Sequence, residues 1–447
     1  MKHLFLALSI MAVVLTVWTC NEPSTPPTNT DKISLSLVEA LDTRVTLKLS
    51  FSDPIAQYSV ALERDGAILF NHRIFYSDTT FLDTALVPNT LYKYKAFLIR
   101  DSARFYESKE LRVTTVPPIP LDTSSHSIQW ERLYFGDGQS SFYDVTVIND
   151  TCAYAVGEIY VKDSTGKYED TYNAAKWDGK KWQLIRIMIN SCGTQVYKPF
   201  AISCAYGLNP SLVYFGAGVL GYYDGKQFFK DCSQFGKWTG SLFKIWSQNT
   251  STQWLVGSKG WTCRKDQAVY TNIPSGTTRD LTDVYGNAHE VWAVGGYSNK
   301  NEGIVLLNKG SGWEKIDSLS NSERRSISSV WCDDRGLTKG GFLVLAGRGI
   351  WFKDTTWKSP PSSILGGNLG LGNLFFNGIV GTRRNDVIAV GDFGIVLHYN
   401  GSSWKFYPEL LNHPQGRLLV SVGMTKKNIF IVGFENDRGI IIHGKRN

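Results

Sequence analysis

The sequence predicts an all-β protein in which a small domain precedes a repeated one. Aromatic residues make up 13% of the 447 residues and occur with 42 glycines, a combination typical of strands joined by tight turns. Short apolar runs alternate with turns along most of the chain, as in "VIAVGDFGIVLHYNGSSW" at 387–404. Because this pattern recurs seven times, we expect most of the chain to consist of repeated β units.

The composition excludes several classes of protein. Hydrophobic residues reach 43% and charged residues 19%, so a packed core is expected and global disorder is excluded. The net charge is +7, but Lys and Arg are scattered along the chain, which argues against nucleic-acid binding. A chain of this length has room for two or three domains.

Residues 1–19 predict a signal peptide. Lys2 precedes an apolar stretch at 4–17. Its roughly 14 residues are too few for a membrane span, which needs about 20, and they suit the core of a signal peptide. We therefore expect an exported protein.

The stretch "VWTC" at 17–20 resembles a bacterial lipobox. The resemblance implies that Cys20 becomes the lipidated first residue. Thr19 stands where Gly, Ala or Ser is usual, so cleavage by the ordinary signal peptidase is the alternative. Residues 20–32, rich in Pro, Thr, Ser and Asn, predict a flexible tether. The expected location is the bacterial cell envelope, at the outer membrane or cell surface, with the lipid anchor as the only membrane contact.

Six further cysteines leave two interpretations open. They could form the disulfides that an exported chain permits, or they could be small buried hydrophobic residues in strands. None lies in a CxxC motif and no His completes a zinc site, so neither a metal nor a cofactor is predicted. These cysteines are Cys152, Cys192, Cys204, Cys232, Cys263 and Cys332.

Residues 33–117 predict the small β domain. Apolar and polar residues alternate from residue 33, and the Asp-Gly pair at 65–66 separates two β runs as in a hairpin. The segment "LVPNTLY" at 86–92 resembles the tyrosine corner of fibronectin type III domains. This resemblance implies a small β-sandwich in which the Tyr92 hydroxyl bonds to nearby backbone. Residues 118–126 are predicted to be the linker to the next domain.

Residues 127–447 contain the seven repeats. Each repeat has a β run, an apolar strand ending in Gly, a third β run, a turn and an aromatic fourth strand, as in "YNGSSW". The glycines are 38 to 59 residues apart, which suits a four-stranded propeller blade. Seven blades are predicted, with six or eight as alternatives because the second repeat is weak. The glycines are Gly157, Gly216, Gly257, Gly295, Gly347, Gly391 and Gly433.

The two ends of the repeat region predict how it closes. The last repeat stops at "GIIIHGKRN" without a fourth strand, whereas "SIQWERLYF" at 127–135 has the missing aromatic strand. We therefore expect N-to-C strand closure, in which these two segments pair. The repeats resemble those of bacterial secreted propellers with "VWAVG…G.I…DG..W" units, similar in style to sialidase-type Asp-box and photosystem II assembly-factor propellers.

The sequence favours binding over catalysis. A sialidase-like glycan hydrolase needs three convergent Arg, a Tyr nucleophile and an acidic partner, and no spacing marks such a set. The preferred hypothesis is an envelope lipoprotein whose propeller binds a protein or a glycan without catalysis. The hydrolase, and a scaffold or assembly factor for envelope proteins, are the alternatives.

In a propeller, the loops that follow the repeat glycines share one face around the channel. We expect any binding surface to lie there, with charged and aromatic side chains mixed. The candidate binding rim comprises Lys259, Tyr297, Arg348, Asp392, Phe393 and Glu435.

Overall fold

The structure is a computed structural model that describes residues 32–446 with internal gaps. The gaps are 41–43, 53–57, 74–77, 85, 102, 116–122, 169–170, 191–196, 225, 234–237, 298–301, 317–326, 335–336, 338–340, 354–356, 361–374 and 413–415. The predicted signal peptide, Cys20, almost all of the tether, Cys192 and residues 118–122 of the linker lie outside the described residues. In the described part of the chain, no helix is long and apolar enough to cross a membrane.

The chain divides into two compact units. One draws its described residues from 32–36, 49–79 and 93–111, and the other from 37–48, 80–92 and 112–446. The predicted boundaries at 117 and 127 stay predictions.

The first eight described strands form two sheets. They are β1 (Ile33–Ala40), β2 (Val45–Phe51), β3 (Ser59–Arg64), β4 (Ala67–Arg73), β5 (Asp78–Asp83), β6 (Leu91–Arg100), β7 (Ala103–Glu107) and β8 (Leu111–Thr114). The strand orders are β1-β2-β5 and β4-β3-β6-β7, with β8 also paired to β6.

Local features of these strands agree with the sequence. Alternate residues of β2 are buried, beginning with Val45. Asp65 and Gly66 join β3 to β4 with φ angles of +51° and +84°, the left-handed backbone that a two-residue hairpin requires. The Val87 N–H donates a hydrogen bond to the Tyr92 hydroxyl oxygen at 2.8 Å, so the predicted tyrosine-corner contact is present. The fibronectin type III assignment itself stays a prediction.

In the described part of the chain, seven four-stranded antiparallel sheets follow, numbered 1 to 7 in chain order. Sheets 1 and 2 are β10 (Ser141–Asn149), β11 (Cys152–Ile159), β12 (Tyr172–Trp177), β13 (Trp182–Ile185) and β16 (Cys204–Asn209), β17 (Leu212–Gly216), β18 (Leu220–Tyr223), β19 (Phe228–Lys230). Between them, β14 (Ile189–Asn190) pairs with β15 (Tyr197–Lys198). Sheets 3 and 4 are β20 (Leu242–Ser247), β21 (Thr252–Gly257), β22 (Thr262–Asp266), β23 (Val269–Asn272) and β24 (Leu281–Gly286), β25 (Val291–Tyr297), β26 (Glu302–Asn308), β27 (Trp313–Lys315).

The remaining sheets complete the series. Sheets 5 and 6 are β28 (Ile327–Cys332), β29 (Leu343–Gly347), β30 (Ile350–Lys353), β31 (Trp357–Lys358) and β32 (Phe376–Arg383), β33 (Asp386–Gly391), β34 (Val396–Tyr399), β35 (Trp404–Phe406). Sheet 7 is β36 (Leu418–Met424), β37 (Asn428–Glu435), β38 (Arg438–Lys445) and β9 (Gln129–Phe135). Short 3₁₀ turns cover Ser258–Gly260 and Pro408–Leu410.

Sheet 7 contains strands from both ends of the repeat region. β9 pairs with β38 from Gln129 opposite Lys445 to Phe135 opposite Gly439. Trp130 of β9 packs edge-on against Tyr407, with ring centroids 5.2 Å apart. The predicted pairing of "SIQWERLYF" with the last repeat is therefore confirmed.

Apolar side chains fill the space on both faces of each sheet. In β33, Val387 and Ala389 pack towards sheet 5, whereas Ile388 and Val390 pack towards sheet 7. The repeat strand is therefore a continuous apolar run rather than an alternating one, because both of its faces are covered. Trp404, the aromatic of the fourth strand, is also buried between sheets 5 and 6.

Seven such clusters lie between consecutive sheets, and the seventh lies between sheets 7 and 1. Members of these clusters, in order, are Tyr154 and Phe215, Tyr214 and Leu255, Trp254 and Ala293, Trp292 and Leu345, Trp331 and Phe376, Val390 and Ile431, and Phe430 and Trp177. Each cluster is an apolar core shared by two sheets, so every sheet packs against the sheet before it and the sheet after it, and sheet 7 packs against sheet 1.

A β-bulge explains the repeat glycine. In sheet 6, Phe376 lies opposite Gly391 and Gly378 opposite Val390, so Asn377 is an extra residue in β32. A Cβ at Gly391 would lie 2.0 Å from the carbonyl oxygen of Phe375, which no side chain can tolerate. The first strands of sheets 1, 3, 4, 5 and 7 have the same bulge opposite their glycine, whereas in sheet 2 Cys204 pairs with Gly216 without one.

The described cysteines divide between the two interpretations. Cys152, Cys204, Cys263 and Cys332 are free and buried, as expected of small hydrophobic residues in strands. Cys232 is disulfide-bonded. Burial raises the pKa of the Cys263 thiol to about 11 and that of the Cys204 thiol to about 12, so neither is ionised at neutral pH.

Candidate functional site

The first strands of all seven sheets line one cavity of about 600 Å³. These strands are β10, β16, β20, β24, β28, β32 and β36. A common cavity lined by one strand from each repeat is the arrangement expected around a propeller channel.

A belt of residues runs around this cavity. The belt residues are those opposite the residue before each repeat glycine: Asp144, Ala205, Lys244, Asp283, Ser329, Gly378 and Ser421. Several belt side chains accept a backbone N–H from the next sheet: Asp144 from Ala205 at 3.0 Å, Asp283 from Val330 at 3.0 Å, and Ser329 from Ile379 at 3.2 Å. The belt therefore stabilises contacts between sheets, because buried backbone groups need partners.

The belt carries a buried charge group. Lys244 Nζ lies 2.6 Å from Asp144 Oδ1, and Asp283 lies in the same cavity. Burial raises the pKa of the Asp283 carboxyl, although Lys244 opposes the change. Burial lowers the pKa of Lys244, but the carboxylates of Asp144 and Asp283 outweigh it and raise this pKa overall. One ammonium therefore compensates two carboxylates.

The bulge residues lie beside the belt, at the end of the cavity where the repeat glycines lie. They are Tyr143, Phe243, Thr282, Ser328, Asn377 and Val420. In sheets 4 and 6 their polar side chains donate to the next sheet, Thr282 to Ser328 O at 3.0 Å and Asn377 to Leu419 O at 3.0 Å. Tyr143 is 41% exposed, and among the described residues its side chain makes no hydrogen bond of this kind to the next sheet.

The predicted rim residues differ in exposure. Lys259 is exposed, has a left-handed φ of +56°, and lines a groove of about 820 Å³ with Arg279 and Lys315. Arg348 is exposed. Tyr297 ends β25, where only its backbone is described. Ligand binding by these residues stays a prediction.

Three rim residues are held by contacts within the protein. Asp392 Oδ1 accepts a hydrogen bond from Asn377 Nδ2 at 3.0 Å, and burial raises its pKa. Phe393, with φ of +57°, packs against the cluster between sheets 5 and 6. Glu435 is only 4% exposed.

Glu435 belongs to a buried polar network rather than to an open rim. Its carboxylate lies 2.7 Å from Arg417 Nη2 and accepts a hydrogen bond from the Tyr134 hydroxyl at 2.6 Å. Asn412 also donates to it. These contacts satisfy both carboxylate oxygens, so Glu435 has a structural role in this state.

The geometry gives no support to a sialidase-like site. The Tyr160 hydroxyl donates to Glu158 at 2.7 Å, and this bond together with burial raises the Tyr160 pKa to about 12, which keeps the phenol protonated. Arg348 follows the second strand of its sheet, whereas Arg383 ends a first strand opposite Asp386, at the other end of the repeat. Arg348 and Arg383 therefore do not converge.

A Ser, a His and an Asp meet near sheet 6 without forming a catalytic triad. Ser124 Oγ and Asp386 Oδ1 both approach the same ring nitrogen, Nε2 of His398, at 3.2 and 3.0 Å. A triad needs the two partners on opposite ring nitrogens. The Ser124 hydroxyl also donates to Asn385 O at 2.7 Å.

The belt and the histidine contacts were missed by sequence reasoning. A signal existed for the belt, because one small or polar residue precedes a Val or Ile in most first strands, as in "DV" at 144–145, "DV" at 283–284 and "SV" at 421–422. No metal-binding group of three or more His, Cys, Asp or Glu occurs among the described residues.

Comparisons with known proteins agree on the fold. No family model matches the chain, and no curated protein matches it. The structure of YCF48 bound to D1 peptide is similar with a TM-score of 0.51 at 12% identity, covering 73% of this chain and 100% of that one. YCF48 from Cyanidioschyzon merolae gives 0.51 at 13% identity, covering 70% and 98%, and the WD40 β-propeller domain of Doa1 gives 0.50 at 11%, covering 72% and 97%. At these identities the likeness shows the fold alone: the chain contains a β-propeller.

Proposed function

We propose that the seven sheets are the blades of one seven-bladed propeller and that β9 completes the last blade. Two features support this count: the apolar clusters follow one another in cyclic order, and the hydrogen bond from Ser421 Oγ to Asp144 Oδ1, 2.6 Å long, joins sheet 7 to sheet 1. We also propose that residues 33–117 form a fibronectin type III-like module, on the tyrosine-corner contact.

We propose that the propeller binds a protein segment without catalysis, at the end of the cavity that carries the bulge residues. The observation that carries this proposal is Tyr143, an exposed aromatic side chain that lines the cavity beside the polar belt. Tyr side chains with one apolar and one polar end are enriched in protein interfaces. One similar propeller is recorded bound to a peptide, which supports a protein partner over a glycan.

Position-specific photo-crosslinking tests this function. The full chain would carry p-benzoylphenylalanine in place of Tyr143 or Arg348, or as a matched control in place of Val269, which is 64% exposed in β23. We expect the same protein adduct from positions 143 and 348 and none from 269. Equal adducts at all three positions would contradict a specific site, and a glycan adduct in place of protein would favour the glycan alternative.

We further propose that the protein is an exported lipoprotein of the bacterial cell envelope, anchored through Cys20. The support is the resemblance of residues 17–20 to a lipobox and the tether that follows. In a bacterial host, Cys20→Ser is expected to abolish lipid labelling and release the chain from the membrane fraction. Continued labelling of this variant would contradict the proposal.

A further inference from the structure

The segment that leads into β9 is bonded to sheet 6. We call residues 123–128 the strap. The Ser124 N–H donates to Asn400 O at 3.1 Å, and its hydroxyl donates to Asn385 O at 2.7 Å. Because Asn385 and Asn400 lie in the two hairpin turns of sheet 6 at this end, the strap is held by both turns.

Two histidines form the centre of this contact. His126 Nδ1 of the strap lies 2.8 Å from Nδ1 of His398, and the two rings are nearly perpendicular. A hydrogen bond between two imidazole nitrogens needs one donor and one acceptor, so exactly one of these nitrogens carries a proton. When both rings are protonated, neither Nδ1 can accept a hydrogen bond and two cations are placed in contact.

The surrounding charges also disfavour protonation of both rings. Arg446, the residue after β38, makes two hydrogen bonds of 2.6 Å to the Asp386 carboxylate that also contacts His398. Asp386 is thus already paired with a cation. Lys405 is a further positive charge close to both histidines.

We propose that the His126–His398 pair is an acid-sensitive latch: at neutral pH it holds the strap on sheet 6, and in acid it releases the strap while Arg446 keeps the end of β38 attached. The inference is independent of which partner the propeller binds. An exported protein meets external pH directly, so a contact of this kind can make the position of the strap depend on acidity.

The directions of the pKa shifts determine whether closure of the strap strengthens or weakens in acid. Burial, His398 and Lys405 lower the pKa of His126 from 6.5 to about 4, and burial lowers that of His398 although Asp386 opposes it. The open strap therefore binds more protons than the closed one below pH 6.5, so closure weakens as the pH falls from 6.5 towards 4. Burial raises the pKa of Asp386, but bonds from His398 and Arg446 outweigh it and lower this pKa to about 2, so the Arg446 contact persists.

Hydrogen–deuterium exchange of the full chain tests the latch. After correction for intrinsic exchange, protection of the strap is expected to fall at least about tenfold between pH 7 and pH 4.5, since each unit of pKa shift corresponds to a factor of ten. Protection of β33 should stay constant. His126→Phe, which keeps a ring but cannot titrate, should make strap protection independent of pH.

His443→Gln is the matched control, because His443 is also a buried histidine whose pKa is lowered to about 4 but does not touch the strap. In the His443→Gln variant, the strap should open in acid as it does in the unchanged protein. If His126→Phe does not fold, the ¹H–¹³C signals of the histidine rings in the unchanged protein replace it. Acid-induced opening of the strap that persists in His126→Phe would overturn the proposal. So would opening in a pH range over which the ring signals of His126 and His398 do not titrate.

Discussion

Replacing Gly391 by Ala is expected to destabilise the protein through its backbone rather than its core. The new Cβ would lie 2.0 Å from Phe375 O and 2.8 Å from Phe376 Cα, and contacts under 3.0 Å essentially never occur for a real Cβ. The backbone of β32 must therefore move away by about 1 Å, in the range where overpacking costs about 1–3 kcal/mol.

That movement also breaks hydrogen bonds at the bulge. The Asp392 N–H donates to Phe375 O at 2.9 Å, and Asn377 Nδ2 donates to Leu419 O of sheet 7 at 3.0 Å. Each is worth about 1 kcal/mol, and the lower chain entropy of Ala in the unfolded state offsets about 0.5–1 kcal/mol. The net expectation is a loss of about 3 kcal/mol, a large part of the stability of a typical domain.

Urea unfolding of the full chain, followed by tryptophan fluorescence, measures this loss. Gly216→Ala is the matched control, because sheet 2 lacks the bulge and the new Cβ would meet the Cys204 side chain at 2.5 Å instead of backbone. It should cost less, and Cys204→Ala in the same chain should recover part of the cost. If Gly391→Ala destabilises no more than Gly216→Ala, the bulge does not explain the repeat glycine.

Three further predictions concern charge, acid and thiols. Lys244→Met should lower the free energy of unfolding by about 2–4 kcal/mol, because Asp144 and Asp283 lose their shared cation. The control Lys445→Met removes a half-exposed ion pair and should lower this free energy by less than about 1 kcal/mol. Equal losses of the two variants in urea unfolding would contradict the buried charge group. Stability should fall as the pH drops from 6.5 to 4, since burial and Lys445 lower the pKa of His443 to about 4 in the folded state, and His443→Gln should reduce the slope of unfolding free energy against pH. Iodoacetamide should label the four free cysteines only after unfolding, as peptide mass spectrometry can show, because burial raises their pKa; labelling without denaturant would disagree with the structure.

The parts of the fold that depend on local patterns could be predicted from the sequence. The apolar strand ending in glycine and the fourth-strand aromatic are visible within one repeat length. The pairing of residues 127–135 with the last repeat could be predicted because that repeat lacks the aromatic strand that these residues contain. The requirement for glycine was visible as a pattern, but its cause was not. A bulge depends on the register between two strands, and the alternation of residues does not reveal an extra residue in one of them.

The contacts that define the candidate sites could not be predicted. Asp144 accepts a hydrogen bond from a residue 61 positions away, and His126 meets His398 across 272 positions. Such pairs follow from the packing of one sheet against the next, or of the strap against sheet 6, which sequence spacing does not encode. The rim prediction treated all loops after the glycines alike, whereas Glu435 is buried in a network with Arg417. Position in a repeat therefore predicts the backbone of a loop but not the exposure of its side chain.

The side chain at the bulge position differs between the sheets, and so does the contact that it makes. In sheets 4 to 6 the side chain of the bulge residue donates a hydrogen bond to the backbone of the next sheet. These residues are Thr282, Ser328 and Asn377, and the bulge there stabilises the contact between neighbouring sheets. Tyr143 and Phe243 occupy the same position with aromatic side chains that make no such bond. Since each bond forgone weakens a contact between sheets, and 41% of Tyr143 remains exposed, the contacts of the fold give little reason for a tyrosine at this position. Departures from local consistency concentrate at functional positions, and we therefore propose Tyr143 as a residue that contacts the partner.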